Sequence, residues 1–211
     1  MGGAQFPESG MKQLRTFALL GFAALTSACV SNDGVASRNA PLETGFANSG
    51  AFLARDYEVR DVRVTVPETL RVSEANTYFP FADIVWRGDA YGNRYEQVEA
   101  MFEEAAARGA EHLEGTVPVF VDIELTRFHG VTEKTRFSIG GDYDIDYVLT
   151  VRNAETGEVI EPARKVGYEL DAPGGAQALE LEHSGQTEKV RVIDFMTQKF
   201  MQDLAPQALG A

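Results

Sequence analysis

PVFVDIEL at residues 118–125 and DYDIDYVLTV at residues 142–151 decide the fold. In the first, Val119, Val121, Ile123 and Leu125 alternate with other residues; in the second, Tyr143, Ile145, Tyr147, Leu149 and Val151 do the same. A period of two puts each apolar set on one side of a strand, so both runs predict strands with one buried face. Val166, Tyr168 and Leu170 predict a third strand, and the Asn153–Glu158 connection, with Gly157 inside it, predicts a hairpin between the second and third. Upstream, Val62, Val64 and Val66 alternate with Arg63 and Thr65, and FADIVW at Phe81–Trp86 reads as a further short strand. Tyr95, Val98, Phe102 and Ala105, with Met101 beside them, recur at helical spacing, and Gly109 supplies a stop. Val190, Ile193, Met196 or Thr197, Phe200 and Leu204 predict a second helix over 187–204, after a polar, glycine-containing loop from Asp171 to Gln186. That order implies an α+β fold: a two-layer α/β sandwich with a mostly antiparallel sheet and two helices on one face.

The N-terminal part has another character. MKQLRTFALLGFAALTSAC, Met11 to Cys29, has basic Lys12 and Arg15, an apolar run from Phe17 to Leu25, and small residues up to the cysteine. This is the layout of a secretory signal peptide. The apolar run is shorter than the ~20 residues that a membrane-spanning helix needs. Residues 1–10, MGGAQFPESG, are polar and precede a second methionine, so Met11 reads as the translation start. Cys29 is the only cysteine and has no disulfide partner within the chain. Residues 30–54 are rich in Ser, Asn, Gly and Ala without an apolar period and read as a flexible tether. The expected organisation is therefore a signal peptide over 1–28, a lipidated cysteine and tether over 29–54, and a single α/β domain over 55–211. The chain carries a formal charge of −13, which makes nucleic acid a poor partner.

Leu25-Thr26-Ser27-Ala28 before Cys29 resembles the lipobox of bacterial lipoproteins, with leucine one step further out than is usual. The resemblance implies cleavage before Cys29, a diacylglyceryl group and an N-acyl chain on that residue, and a durable membrane anchor. Val30 and Ser31, rather than an aspartate, follow the cysteine, which implies the outer membrane, facing the periplasm. With VSEAN at 72–76, ADIVWRGD at 82–89, RFHGVTEKTR at 127–136 and GQTEKVR at 185–191, the chain resembles uncharacterised alphaproteobacterial lipoproteins grouped as a domain of unknown function. More distantly, its layout is similar to envelope lipoproteins of secretion and outer-membrane assembly systems; no activity comes with either resemblance.

The candidate site in the pattern is acidic. Asp142, Asp144 and Asp146 share one face of their strand, and Asp122 and Glu124 point away from the apolar face of the neighbouring one. If those strands pair, five carboxylates crowd one side of the sheet, which is destabilising unless Lys165, a bound cation or a basic partner compensates. Phe120, Phe128 and Val148 are expected on the same face, where apolar side chains among charges mark a contact surface. D-x-D-x-D opens like a calcium loop, but Tyr147 stands where glycine is needed and Asn153 where the twelfth-position acid is needed. His112, His129 and His183 have no metal-ligand spacing, His129 reading as a turn residue, and no G-x-S-x-G is present. Arg87-Gly88-Asp89 reads as a turn, and Trp86 as a core or interface residue. No catalytic residue, metal or cofactor is expected. The domain reads as a non-catalytic binding or envelope-assembly component with a basic protein partner; the alternative is a small-ligand carrier or hydrolase whose site is assembled from residues distant in sequence.

Overall fold

The computed structural model describes residues 55–206; the signal-like segment, Cys29 and the expected tether lie outside them. The elements are β1 (Tyr57–Thr65), β2 (Ile84–Val85), α1 (Arg94–Ala110), β3 (Val117–His129), α2 (Glu133–Arg136), β4 (Gly141–Asn153), β5 (Val159–Ala172), α3 (Gly175–His183) and α4 (Glu188–Leu204). The sheet runs β1-β3-β4-β5, and β2 pairs with β3 beyond the end of β1. β1 and β2 join β3 in parallel; β3-β4 and β4-β5 are antiparallel. Parallel pairing of β1 with β3 needs a long crossover, and α1 supplies it. The β4-β5 turn is built as expected: Asn153 Oδ1 accepts from the backbone N–H groups of Glu155 and Thr156, and Gly157 takes a φ of 75° that a side chain would resist.

One face of the sheet packs on α1 and α4. Phe102 of α1 meets Phe128, Tyr147 and Phe200 edge-on at centroid distances of 6.0, 6.2 and 6.0 Å, a favourable aromatic geometry. Both long helices are capped as their sequences direct, Asn93 accepting from Tyr95 N and Thr187 from Val190 N.

Three expectations are corrected. A bulge between Leu125 and Arg127 inserts an extra residue in β3, so the alternation flips and Phe128 turns into the core instead of outward. FADIVW forms a strand only at Ile84–Val85, and Phe81 is 89% exposed. Residues 175–183, expected as loop, form α3; its only buried residue is Ala178, so the sequence carries no apolar stripe there. Of the two readings of Trp86, core or interface, the structure shows the core: it is fully buried.

Candidate functional site: a polar and aromatic pole opposite the start of the domain

The five carboxylates of the sequence reading do lie on the outer sheet face, with compensation from arginines. Arg152 pairs with Asp122 at 2.6 Å and Arg127 with Asp144 at 3.1 Å. Lys165, exposed on β5, takes part in neither pair. Glu124 and Asp142 are exposed, Asp146 half-buried. Arg127, Asp144, Asp146, Gly167 and Glu169 line a shallow depression of about 460 Å³, which exists because Gly167 has no side chain opposite Asp146. Among the described residues no group of three or more His, Cys, Asp or Glu is placed to hold a metal. Phe120 stays half-buried under the guanidinium of Arg63, 4.7 Å from its ring centroid. His129 ends β3 with Nδ1 3.0 Å from the Ala82 carbonyl oxygen.

A second assembly was hidden in the sequence. The four motifs quoted above, far apart in the chain, meet at the end of the sheet where β3 and β5 finish. Glu74 of VSEAN accepts from Arg94 at 2.9 Å and pairs with Arg87 at 2.9 Å; Arg87 also reaches Glu133 at 3.3 Å. Arg87 and Arg94 are each only 4% exposed, so their charges depend on these partners. Hydrogen bonding from Arg94 holds the Glu74 carboxyl below its ordinary value, against a smaller upward push from burial. Asn76 Oδ1 accepts from Lys134 N, and the Thr132 hydroxyl donates to Thr77 O, docking the 72–78 loop onto α2. Asp89 accepts from Trp86 Nε1 at 2.8 Å and from Lys189 Nζ at 2.9 Å, joining the loop to α4. The Arg87-Gly88-Asp89 tripeptide is thus an internal brace; a side chain at residue 88 would collide with the Trp86 ring.

Beside the loop network sits a buried trio. Arg136 binds Glu182 of α3 at 2.6 Å on one side and lies 3.6 Å from Glu188 on the other. Burial first, and then the Glu188 carboxylate that the Tyr143 hydroxyl faces, hold that hydroxyl well above its ordinary value. Burial pushes the Glu188 carboxyl above its ordinary value, opposed by the nearby arginines.

Around this polar framework the surface is apolar. Of eight large hydrophobic residues exposed among the described residues, Tyr78, Phe79, Phe81, Tyr91, Phe137, Ile139 and Leu179 belong to the loops and α3 at this end; only Val159 is elsewhere. Phe79, Phe81 and Tyr91 are 86, 89 and 85% exposed. Cations sit over several of these rings: Arg71 over Phe81 at 4.8 Å, Lys134 over Tyr78 at 4.4 Å, Arg136 over Phe137 at 5.4 Å. The sequence signal was ambiguous, because aromatic residues in a loop between two patterned elements are ordinarily counted as core.

The opposite end is closed by a buried ionic cluster. Arg55 gives two hydrogen bonds to Glu161, at 2.8 and 3.0 Å, and one to the Asp203 carbonyl. The Tyr57 hydroxyl donates to Glu161, and those of Tyr147 and Tyr168 donate to Asp203.

The sequence matches the DUF6778 family, a family of unknown function, over residues 57–209. No curated protein matches it. Among solved structures, a Xanthomonas campestris protein of the DUF330 family is similar at 10% identity over 70% of this chain and 81% of that one, with a TM-score of 0.43. A Caulobacter crescentus chain described as a candidate lipoprotein aligns at 11% identity over 72% of this chain and 89% of that one, TM-score 0.32. A minor lipoprotein from Acinetobacter baumannii aligns at 9% over 68% and 91%, TM-score 0.31. Similarity this low transfers no site and no role.

Proposed function

Since the chain belongs to DUF6778, a family of unknown function, we propose from its own residues that it is a lipid-anchored bacterial envelope protein whose domain is a non-catalytic binding or assembly component. Its anchor is Cys29, its setting the periplasmic side of the outer membrane of an alphaproteobacterium, and its contact surface the aromatic pole. The reading rests on one observation above all. Seven of the eight large apolar side chains exposed among the described residues lie at the end away from Arg55, the first described residue. Fully burying a phenylalanine is worth about 1.5–3 kcal/mol, so leaving Phe79 and Phe81 in water is a cost that a partner surface would recover. Aromatic and arginine side chains are also the residue types enriched at protein contacts. Support for the anchor is the Met11–Cys29 layout and the single cysteine. No described helix is long and apolar enough to cross a membrane.

The competing idea of a ligand carrier or hydrolase calls for a deep pocket with convergent polar groups. The larger depressions described, about 460 Å³ on the outer sheet face and about 320 Å³ between β1 and α1, are open to solvent. A second reading for the acidic face, a site for a basic partner protein at Asp122, Glu124, Asp142, Asp144 and Asp146, is favoured by the depression over Gly167.

Two measurements test the proposal together. Metabolic labelling with a fatty-acid analogue should mark the wild type and not Cys29→Ser, which should leave the mature membrane fraction; label on the serine variant contradicts the anchor. A photo-crosslinking residue at position 81 should then give a discrete adduct in envelopes, and one at position 155, on the β4-β5 turn, none. The reverse pattern contradicts the contact surface, and loss of an adduct with Asp144→Asn alone moves the contact to the acidic face.

A further inference from the structure

β5 is an outer strand of the sheet, with β4 on one side and, among the described residues, no strand on the other. Alternate residues of such a strand turn their N–H and C=O groups away from the sheet, where another chain can pair with them. At 14 residues β5 is long for an edge. Bulges and prolines commonly guard edges, and β1, at the other side of the sheet, has a bulge between Val59 and Asp61. On β5 the guards stop early. Pro162 and the register shifts fall in its first part, and from Arg164 to Ala172 it runs against Leu149 to Gly141 without a break.

The side chains along this unbroken stretch complement their own reverse. Lys165, Gly167 and Glu169 are exposed on the outer face, while Val166, Tyr168 and Leu170 alternate with them on the inner one. Neither Lys165 nor Glu169 has an ion-pair partner among the described residues. A second copy laid antiparallel along β5, with the two-fold axis at Gly167, sets Lys165 opposite Glu169 of the second copy. The symmetry repeats that pair on the other side of the axis. On the inner face the same register sets Val166 opposite Tyr168 of the second copy. Opposite charges and aromatic–β-branched pairs are the pairings that stabilise antiparallel strands. On the axis glycine meets glycine, and no side chain stands between the two backbones on the outer face. Moving the axis one residue either way sets Lys165 or Glu169 opposite the bare Gly167 and leaves that charge unpaired.

We propose that β5 is an interface with a second copy of this chain, paired antiparallel about Gly167 over Arg164–Leu170, so that the two sheets continue as one. Arg191 of α4 takes the Asp171 carbonyl just beyond that span. The inference rests on neither the lipid anchor nor the aromatic pole.

Cysteine cross-linking reads the register, in the purified full chain carrying Cys29→Ser so that the one native thiol is absent. Residues 165 and 169 are about 13 Å apart along a strand, and a disulfide needs Cα atoms within about 7 Å. They cannot bridge within one copy. Lys165→Cys together with Glu169→Cys should therefore give a covalent dimer on mild oxidation with copper-phenanthroline, and either substitution alone should give several-fold less. Equal yields from the single and double variants, or no dimer from the double variant, overturn the interface. Sedimentation velocity reads the charges. Lys165→Glu sets like charges opposite each other on both sides of the axis and should raise the dissociation constant of the dimer several-fold; adding Glu169→Lys should restore it. A chain that is monomeric at every concentration, or a loss that the second substitution does not reverse, overturns the pairing. A monomeric purified chain whose Lys165→Cys variant forms an adduct with another protein in whole envelopes likewise overturns it, and gives the edge to that different partner.

Discussion

The two ends of the sheet are built on opposite plans. Where the domain begins, charges turn inward: Arg55, Glu161 and Asp203 are 8, 3 and 6% exposed, and three tyrosine hydroxyls are spent on the two carboxylates. At the other end, apolar rings turn outward and a nine-residue helix buries one side chain. The first plan ties β1, β5 and α4 together at the residue through which any pull from an N-terminal anchor would enter. The second leaves apolar surface exposed, where the proposed contact would be made. Regions that bind are drawn from the less stable parts of a fold, which agrees with the proposal of holding at one end and contact at the other.

The comparison breaks first at Glu161. Glu161→Ala leaves the Arg55 guanidinium buried without its partner, a change that costs about 3–5 kcal/mol in comparable sites. Urea unfolding should show that loss; a loss below about 1 kcal/mol, the scale of an exposed ion pair, would mean the cluster is not the brace described. Tyr147→Phe is the next in size. It removes a 2.5 Å hydrogen bond to Asp203, and bonds to charged groups are worth about 1.5–3 kcal/mol.

The same end should be sensitive to alkali. Burial and the adjoining carboxylates push the Tyr57, Tyr147 and Tyr168 hydroxyls above the ordinary value of 10.0. An acid that keeps its proton more tightly when folded than when unfolded makes stability fall once pH passes the unfolded value. Stability should therefore drop above pH 10, and drop less steeply in Tyr147→Phe. A parallel fall in both proteins contradicts the assignment.

Glu188 follows the same rule in a lower window. Its folded value lies above the unfolded 4.5, so its contribution is favourable below that pH and is lost as pH rises through the folded value. The stability of Glu188→Gln relative to wild type should grow across that interval and level off above it. A difference independent of pH would show that the carboxyl is not desolvated. Smallest of all, Phe79→Ser and Phe81→Ser should change stability by no more than about 0.5 kcal/mol, as for surface positions generally, while removing the envelope cross-link. A large destabilisation would place those rings in the core.

Much of the sheet was legible because its buried face alternates without interruption. Every apolar residue assigned to the inner faces of β3 and β4 is buried, from Val119 to Leu125 and Tyr143 to Val151. Both long helices were legible from their apolar spacing, although Gly109, read as a stop, lies inside α1. Phe128 was misplaced because a bulge shifts phase without leaving a mark in composition. α3 was unreadable because a helix that buries only Ala178 has no apolar period. The ionic brace could not be seen: Arg55 and Glu161 are 106 residues apart, and a charged residue in sequence looks solvated until its partner is placed. For the same reason the motifs VSEAN, ADIVWRGD, VTEKTR and GQTEKVR pointed to a resemblance without disclosing that Glu74, Arg87, Glu133, Asp89 and Lys189 meet in space. The acidic face was legible as a face, but not its arginines, since Arg127 reaches Asp144 only after the bulge has turned it outward.

Hydrogen exchange read by mass spectrometry tests the division of labour most directly, comparing the protein in native envelope vesicles with the same protein purified in detergent. The expected result is slower exchange in the vesicles at residues 76–81 and 137–140, with the segments around Arg55, Glu161 and Asp203 strongly protected in both samples. Protection gained instead along 142–146, or gained nowhere, would contradict the claim that the aromatic pole is the surface this protein presents.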